Sequence, residues 1–210
     1  MTTLLVIAKA PLPGRVKTRL TPLFTPGEAA ALAEAALADT LAVVLAAPAR
    51  RRVLVLDGAP GPWLPPGIEV VPQSAGTLDE RLADAFGQCA GPALLVGMDT
   101  PQLTTDLLAP ALAPDAWRGC DAWFGPAADG GFWALGLAVP QPELVRGVPM
   151  SVPGTGAAQR GRLTAAGLRV RDLPELCDVD TAHDAELVAA LAPGSRFAAA
   201  HRGLTAAGVR

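Results

Sequence analysis

The chain has 210 residues, half of them hydrophobic, which is enough for one domain with a well-buried core or, at most, one domain carrying small insertions. A formal charge of −3 and a pI near 5.4 exclude a global field for nucleic acid or an anionic membrane, so any recognition of phosphate has to be local. Cys89, Cys120 and Cys177 are odd in number, far apart and outside CxxC pairs; this argues against a disulfide framework or a thiolate zinc site and suits the cytoplasm.

The first apolar run, TLLVIA (3–8), is too short to cross a bilayer, and no basic stretch precedes it as in a signal peptide. A helical pattern follows from Glu28 to about Ala47, then RVLVLD (52–57), IEVV (68–71) and a helix near 78–89. ALLVG (93–97), a short helix near 105–112, DAWFG (121–125), FWALGLA (132–138), a helix near 155–166, LRVRDL (168–173) and a helix near 182–191 complete the series. Short β-branched runs alternating with Ala/Leu helices read as βαβ units around a mostly parallel, buried sheet, so the class is α/β. Thr25–Glu28 and Thr77–Glu80 both have the spacing of a capping box. The segment 59–67 is a turn-rich connector, and 192–210 reads as a basic, mobile or loosely docked tail behind a domain spanning 1–191.

Directly after the first strand stands KAPLPGRVKTRL (9–20), which holds both lysines of the chain, Lys9 and Lys17, together with Arg15 and Arg19. Open α/β sheets collect ligands beyond the carboxyl ends of their strands, so this basic loop is placed to meet an anion. Gly14 allows close backbone approach, Pro11 and Pro13 stiffen the loop, and arginine forks with lysine point charges form a clamp for a triphosphate. The loop is neither a P-loop nor a dinucleotide fingerprint, and a solvated basic loop before a helix fits the same residues.

Asp99, in GMDTPQL, lies just past a fully apolar strand. A hard cation prefers one or two carboxylates together with substrate phosphate oxygens, so Asp99 is a candidate Mg²⁺ or Mn²⁺ ligand; capping the next helix is the alternative. Asp178 and Asp180, in CDVDTAHD, point to the same side if the segment is extended, and either could complete the site, with Thr181 as a helix cap. Asp129-Gly130-Gly131 lies between two strands, either as an ordinary hairpin turn or as an acceptor contact where the glycines let a substrate approach the backbone. Gly76 and Thr77, in QSAGTLDERLADAF, form a small-residue turn suited to a base or ribose, with Arg81 solvated in the alternative reading. Trp117, Trp123 and Trp133 read as core or pocket wall, His183 and His201 lack metal-like spacing, and no nucleophile triad is legible.

Five segments in this order, AKAPLPGRVKTRL, GTLDERLADAF, GMDTPQL, GPAADGGFWALGL and DVDTAHD, resemble the bacterial DUF2064 family over about residues 3–191. That family is labelled glycosyltransferase-like or radical-SAM/selenodomain-associated transferase and is similar to 2-phospholactate and molybdenum cofactor guanylyltransferases. The resemblance implies a three-layer α/β/α fold of the nucleotide-diphospho-sugar transferase, or GT-A, type. It further implies that Lys9, Arg15, Lys17 and Arg19 serve the nucleotide phosphates, Asp99 and Asp180 the metal, and Asp129 the acceptor side. At Met150-Ser151-Val152 the chain departs from the family pattern of an aromatic residue followed by Ser-Thr.

Two enzymatic functions follow as expectations. In nucleotidyl transfer, Arg15 and Lys17 stabilise the pyrophosphate leaving from an NTP while a small phosphorylated acceptor attacks. In glycosyl transfer, the donor is a nucleotide sugar and Asp129 serves as acceptor base. The dense basic loop favours the first; a non-catalytic nucleotide-sensing domain is the third reading. None involves nucleic acid or a membrane, and the chain is expected to be a monomer or a homodimer.

Overall fold

A computed structural model describes residues 1–21 and 23–208. Its centre is β1 (Thr3–Lys9), where Leu4, Leu5, Val6 and Ala8 are all buried. Apolar side chains on successive positions face opposite sides of a sheet, so such a strand needs cover on both faces. Parallel neighbours supply its backbone partners: β2 (Arg51–Asp57) on one side and β4 (Ala93–Val96) on the other. The sheet is completed by β3 (Glu69–Pro72), β5 (Ala122–Pro126), β6 (Phe132–Leu137) and β7 (Val170–Asp172), in the order β3-β2-β1-β4-β6-β5-β7. Among these strands, β6 alone runs against its neighbours, pairing antiparallel with β4 and β5. The mostly parallel three-layer α/β/α architecture read from the sequence is the one observed.

One face of the sheet is covered by α1 (Pro26–Ala46) and α3 (Thr105–Leu112), through Leu37, Leu41 and Leu108. The other is covered by α2 (Leu78–Gly87) and α4 (Thr155–Ala165), through Leu82, Phe86 and Leu163. Helix α1 is long and apolar enough to cross a membrane by length and composition. Here its apolarity has another cause. One side packs on the sheet, while Ala29, Leu32 and Ala36 on the other side pack against α5 (Ala182–Leu191) and α6 (Arg196–Gly208). A helix buried on two sides is apolar nearly all round.

Helix α6 corrects the expected loose tail. Arg196–Gly208 is helical, Phe197 and Ala198 are buried against α1 and α5, and Asp39 of α1 accepts from the backbone N–H groups of Arg196 and Phe197. The Ala-rich segment makes a helix whose first turn is held by a carboxylate, where the helix dipole favours one. Residues 209 and 210 of the expected tail lie outside the described residues.

The capping boxes at Thr25/Glu28 and Thr77/Glu80 are both formed, and a third joins Thr181 to Asp184. They start α1, α2 and α5 at defined residues. The carboxyl ends of β1 and β4 meet the start of β6 at one edge, where Val96 pairs with Ala134 and Gly97 N–H donates to Trp133 O at 2.9 Å.

Candidate active site

The chain leaves β1 at Lys9 and turns at once. Ala10 N–H continues the ladder to Asp57 O, Arg15 N–H closes a turn onto Leu12 O, and Gly14 has φ +74°. Its positive φ favours glycine, and nothing lies within 4 Å of where a Gly14 Cβ would be. Val16 and Leu20 are buried and pin the loop to the core. Between them Lys17 has φ +50° and ψ +38°, and its carbonyl accepts from Leu20 N–H at the head of a 3₁₀ turn over Thr18–Leu20. A non-glycine residue in that region costs on the order of 1 kcal/mol, and such strain persists where the surroundings enforce it.

The buried side chains on either side hold that backbone, and the Lys17 side chain reaches a carboxylate pair. The Lys17 side chain is only 8% exposed; Nζ is 2.9 Å from Asp99 Oδ1 as an ion pair and donates to Asp180 Oδ1 at 3.2 Å. Burial pulls the ammonium pKa down, but the charges of Asp99 and then Asp180 outweigh it and hold the group above its ordinary value. Arg19 Nη1 donates to the other Asp180 oxygen at 2.9 Å from a solvent-exposed position.

Asp99 and Asp180 are far apart in sequence and are joined by backbone. Val179 N–H donates to Asp99 O at 3.0 Å, and Gln102 Nε2 donates to Cys177 O at 2.7 Å. Val179 is buried between α1 and α5, so Asp178 and Asp180 both reach the opposite, cleft side, as alternation along an extended segment requires. Burial, reinforced by the charges of Asp99 and Asp129, pushes the Asp178 carboxyl up to about 7. Asp178 Oδ1 is buried without a hydrogen-bond partner, and the equally buried Asp99 Oδ1 has the Lys17 ammonium beside it.

These groups line a cleft of about 840 Å³ that also includes Lys9, Arg15, Gln73, Arg81, Asp129, Trp133 and Met150. The volume is in the range of small-molecule sites. Gln73 Nε2 donates to Ala8 O and Val55 O, and its Oε1 accepts from Arg81 Nη1 at 3.0 Å, with Asp57 Oδ2 3.7 Å from the same guanidinium nitrogen. Across the cleft, Asp129 Oδ1 accepts from Gly131 N–H at 2.8 Å and closes the β5–β6 hairpin turn.

Sequence comparison bears on this site. The profile of the DUF2064 family, described as uncharacterized proteins conserved in bacteria, matches residues 31–152. The chain belongs to the DUF2064 family. No curated protein sequence matches it. Among solved structures, a protein of Desulfovibrio desulfuricans G20 assigned as a nucleotide-diphospho-sugar transferase is similar to this DUF2064 protein with a TM-score of 0.85 and 26% identity, over 98% of this chain and 96% of the other. The 2-C-methyl-D-erythritol 4-phosphate cytidylyltransferase of Thermus thermophilus shares the fold at a TM-score of 0.55 and 18% identity, over 92% and 100%. Rv0371c of Mycobacterium tuberculosis H37Rv, in complex with manganese, shares it at 0.52 and 22%, over 89% and 97%. The fold is that of the nucleotide-diphospho-sugar transferases.

Within this DUF2064 protein, Lys9, Arg15, Lys17, Arg19, Asp99, Asp129 and Asp180 lie in one cleft, whereas Pro11, Gly14, Gly76 and Thr77 do not line it. Pro11 is buried. Gly76 has φ +110°, and a Cβ there would overlap the Glu80 carboxylate, so the Gly76-Thr77 turn serves the cap of α2. A Cβ on Gly130 would overlap the Pro153 carbonyl, so the room that glycine leaves there is filled by the chain's own backbone and not by a substrate. Arg81 is 19% exposed and braced in the cleft, not solvated. Gln73 and Met98 also line the cleft without a local sequence signal, and so do Met150, Ser151 and Val152, where the chain departs from the family pattern. Asp178 had such a signal, its alternation with Asp180.

Among the described residues, no three Asp, Glu, His or Cys groups form a metal cluster by themselves. The donor set still fits a hard cation that brings phosphate oxygens with it: two carboxylates already share one positive charge, and beside them the buried Asp178 Oδ1 lacks a hydrogen-bond donor.

Proposed function

We propose that this protein is a divalent-metal-dependent nucleotidyltransferase, joining an NTP-derived nucleotide to a small phosphorylated acceptor with release of pyrophosphate. The observation carrying this reading is the convergence, in one cleft, of the basic loop after β1 with the carboxylates that end β4 and precede α5. Asp99 and Asp180 would hold Mg²⁺ or Mn²⁺, which when bound offsets charge on the α-phosphate and the leaving group.

The chain's own residues position and neutralise. Arg15 is exposed at the cleft mouth and can fork onto β- and γ-phosphate oxygens, with Lys9 and Arg19 adding positive charge beside it. The acceptor phosphate oxygen attacks the α-phosphorus as the bond to the β-phosphate oxygen breaks, and Lys17 and Arg15 stabilise the departing pyrophosphate. Asp129, across the cleft, orients an acceptor hydroxyl. The reaction needs no covalent protein nucleophile, and among the described residues the cleft offers no serine–histidine or cysteine–histidine pair. On this reading the protein acts on small molecules, and its net charge of −3 gives no general attraction for nucleic acid or an anionic membrane.

Glycosyl transfer from a nucleotide sugar is favoured by one observation, the assignment of the Desulfovibrio structure as a nucleotide-diphospho-sugar transferase. Thermal unfolding with the four NTPs and common nucleotide sugars, each with and without Mg²⁺, separates the two. A saturating ligand adds roughly 3–4 kcal/mol of apparent stability. Metal-dependent protection by an NTP, with pyrophosphate released on addition of phosphorylated acceptors and lost in Asp99→Asn, is expected. Protection by nucleotide sugars alone transfers the assignment to glycosyl transfer, and no protection by either removes both.

A further inference from the structure

We propose that Lys17 is a built-in occupant of the metal position, which a divalent cation must displace from Asp99 and Asp180 in order to bind. This rests on the reading of those two aspartates as the metal site. Its own foundation is the placement of one ammonium: Nζ lies between Asp99 Oδ1 at 2.9 Å and Asp180 Oδ1 at 3.2 Å, on a side chain only 8% exposed. A small divalent cation held by these carboxylates sits about 2.0–2.1 Å from its oxygens. A divalent ion bridging the same two oxygens would stand against the ammonium with no anion between them, so on those oxygens metal and ammonium exclude each other by contact and by charge.

The backbone supports exchange. Lys17 is held in a left-handed conformation between the pinned residues Val16 and Leu20, so its backbone stays in place whichever partner the ammonium takes. Once released, a buried ammonium needs a new anion. Such an anion is what a nucleotide polyphosphate brings, beside Arg15 and Lys9 in the same cleft. Metal binding to the carboxylates and phosphate binding to Lys17 then become halves of one exchange. Each ligand strengthens the other by the same factor, and the free protein binds metal weakly.

This accounts for a feature the proposed function leaves open. Asp99, Asp178 and Asp180, with Asp129 nearby, place several carboxylates in the cleft. Without an internal cation, this cluster would repel a polyphosphate and attract any divalent ion. Lys17 holds the cluster together until metal and nucleotide arrive together. Arg19 cannot do the same, because it reaches only Asp180, from a position 69% exposed.

The test is Mn²⁺ alone, followed by its EPR signal, on the full chain. Lys17→Met keeps the apolar stem and should bind Mn²⁺ at least ten-fold more tightly than wild type. Arg19→Gln, which also removes one positive charge from the cluster, should change affinity by less than about three-fold. Equal gains in the two variants would mean general electrostatics and overturn the proposal, as would an unchanged affinity in Lys17→Met.

A second measurement needs no variant, because Lys9 and Lys17 are the only lysines. Acetic anhydride labelling read by mass spectrometry should find Lys17 shielded relative to exposed Lys9 in the free protein, and released once Mn²⁺ saturates the site. Mn²⁺ bound with Lys17 still shielded overturns the displacement while leaving the proposed function standing. No Mn²⁺ binding in any of these proteins, with or without each of the four NTPs, overturns both.

Discussion

The backbone N–H of Val179 donates to the carbonyl of Asp99 at 3.0 Å, and this bond fixes the spacing of the two carboxylates that share Lys17. The Val179 side chain anchors the same segment, buried among Leu20, Leu32 and Val188. Val179→Ala is expected to cost about 1.5–3 kcal/mol of stability by urea denaturation. It should also weaken protection by metal and nucleotide together, since Asp180 loses its anchor. A variant that loses stability but keeps full ligand protection would show that Asp180 is positioned by other contacts.

The hairpin carrying Asp129 is packed against its neighbour through glycine. Gly130 has φ +88°, its missing Cβ leaves room for the Pro153 carbonyl, and its own carbonyl accepts from Gly156 N–H at 2.8 Å. Gly130→Ala should cost roughly 1–3 kcal/mol through backbone strain. Calorimetric titration is expected to find nucleotide affinity kept within a few-fold, because the basic loop lies across the cleft. A collapse of nucleotide affinity would place Asp129 on the nucleotide side.

Helix α6 contributes to the core through Phe197, which is 1% exposed and packs with α1 and α5. Phe197→Ala is expected to destabilise by about 3–5 kcal/mol in thermal or chemical unfolding. The same substitution in a loosely docked tail would have cost nothing measurable.

At the other side of the sheet, Asp121 at the entrance to β5 accepts from Arg169 Nε at 2.7 Å and from its backbone N–H at 2.9 Å. These bonds, the side-chain one foremost, hold its carboxyl at about 2, below the ordinary 3.8. A depressed folded-state pKa stabilises above the unfolded value and loses that contribution as pH falls through the folded one. Wild type should therefore be more stable than Asp121→Asn at neutral pH. The gap should narrow as pH falls from around 3.8 through about 2 and be gone only below that. A gap that stays constant across that range in urea titrations would assign the difference to packing alone.

Asp99 was legible because β4 is an unbroken apolar run, ALLV, whose end is marked by glycine and proline within a few residues. Asp178 and Asp180 were legible through alternation, and both are found on the cleft side. Gly76 and Gly130 were legible as special positions but not in their purpose. A glycine in sequence does not say whether its missing Cβ makes room for a ligand, for a neighbouring strand segment, or only for a positive φ. Docking of α6 was hidden for a similar reason: an Ala-rich stretch of weak periodicity acquires its buried face only from the Asp39 cap and the groove between α1 and α5.

Local sequence was enough to set the alternation of strands and helices, the capping boxes, the mostly parallel sheet, and the collection of basic and acidic residues at strand ends. The elements and their caps depend on residues within a few positions of one another, where hydrophobic period and local hydrogen bonding decide conformation, and the parallel sheet follows from the order of those elements as βαβ units. The assembled fold alone put the Lys17 ammonium between Asp99 and Asp180. That contact joins residues as far as 163 positions apart, and it exists because a left-handed backbone at Lys17 and a buried Val179 bring two distant segments to the same sheet edge.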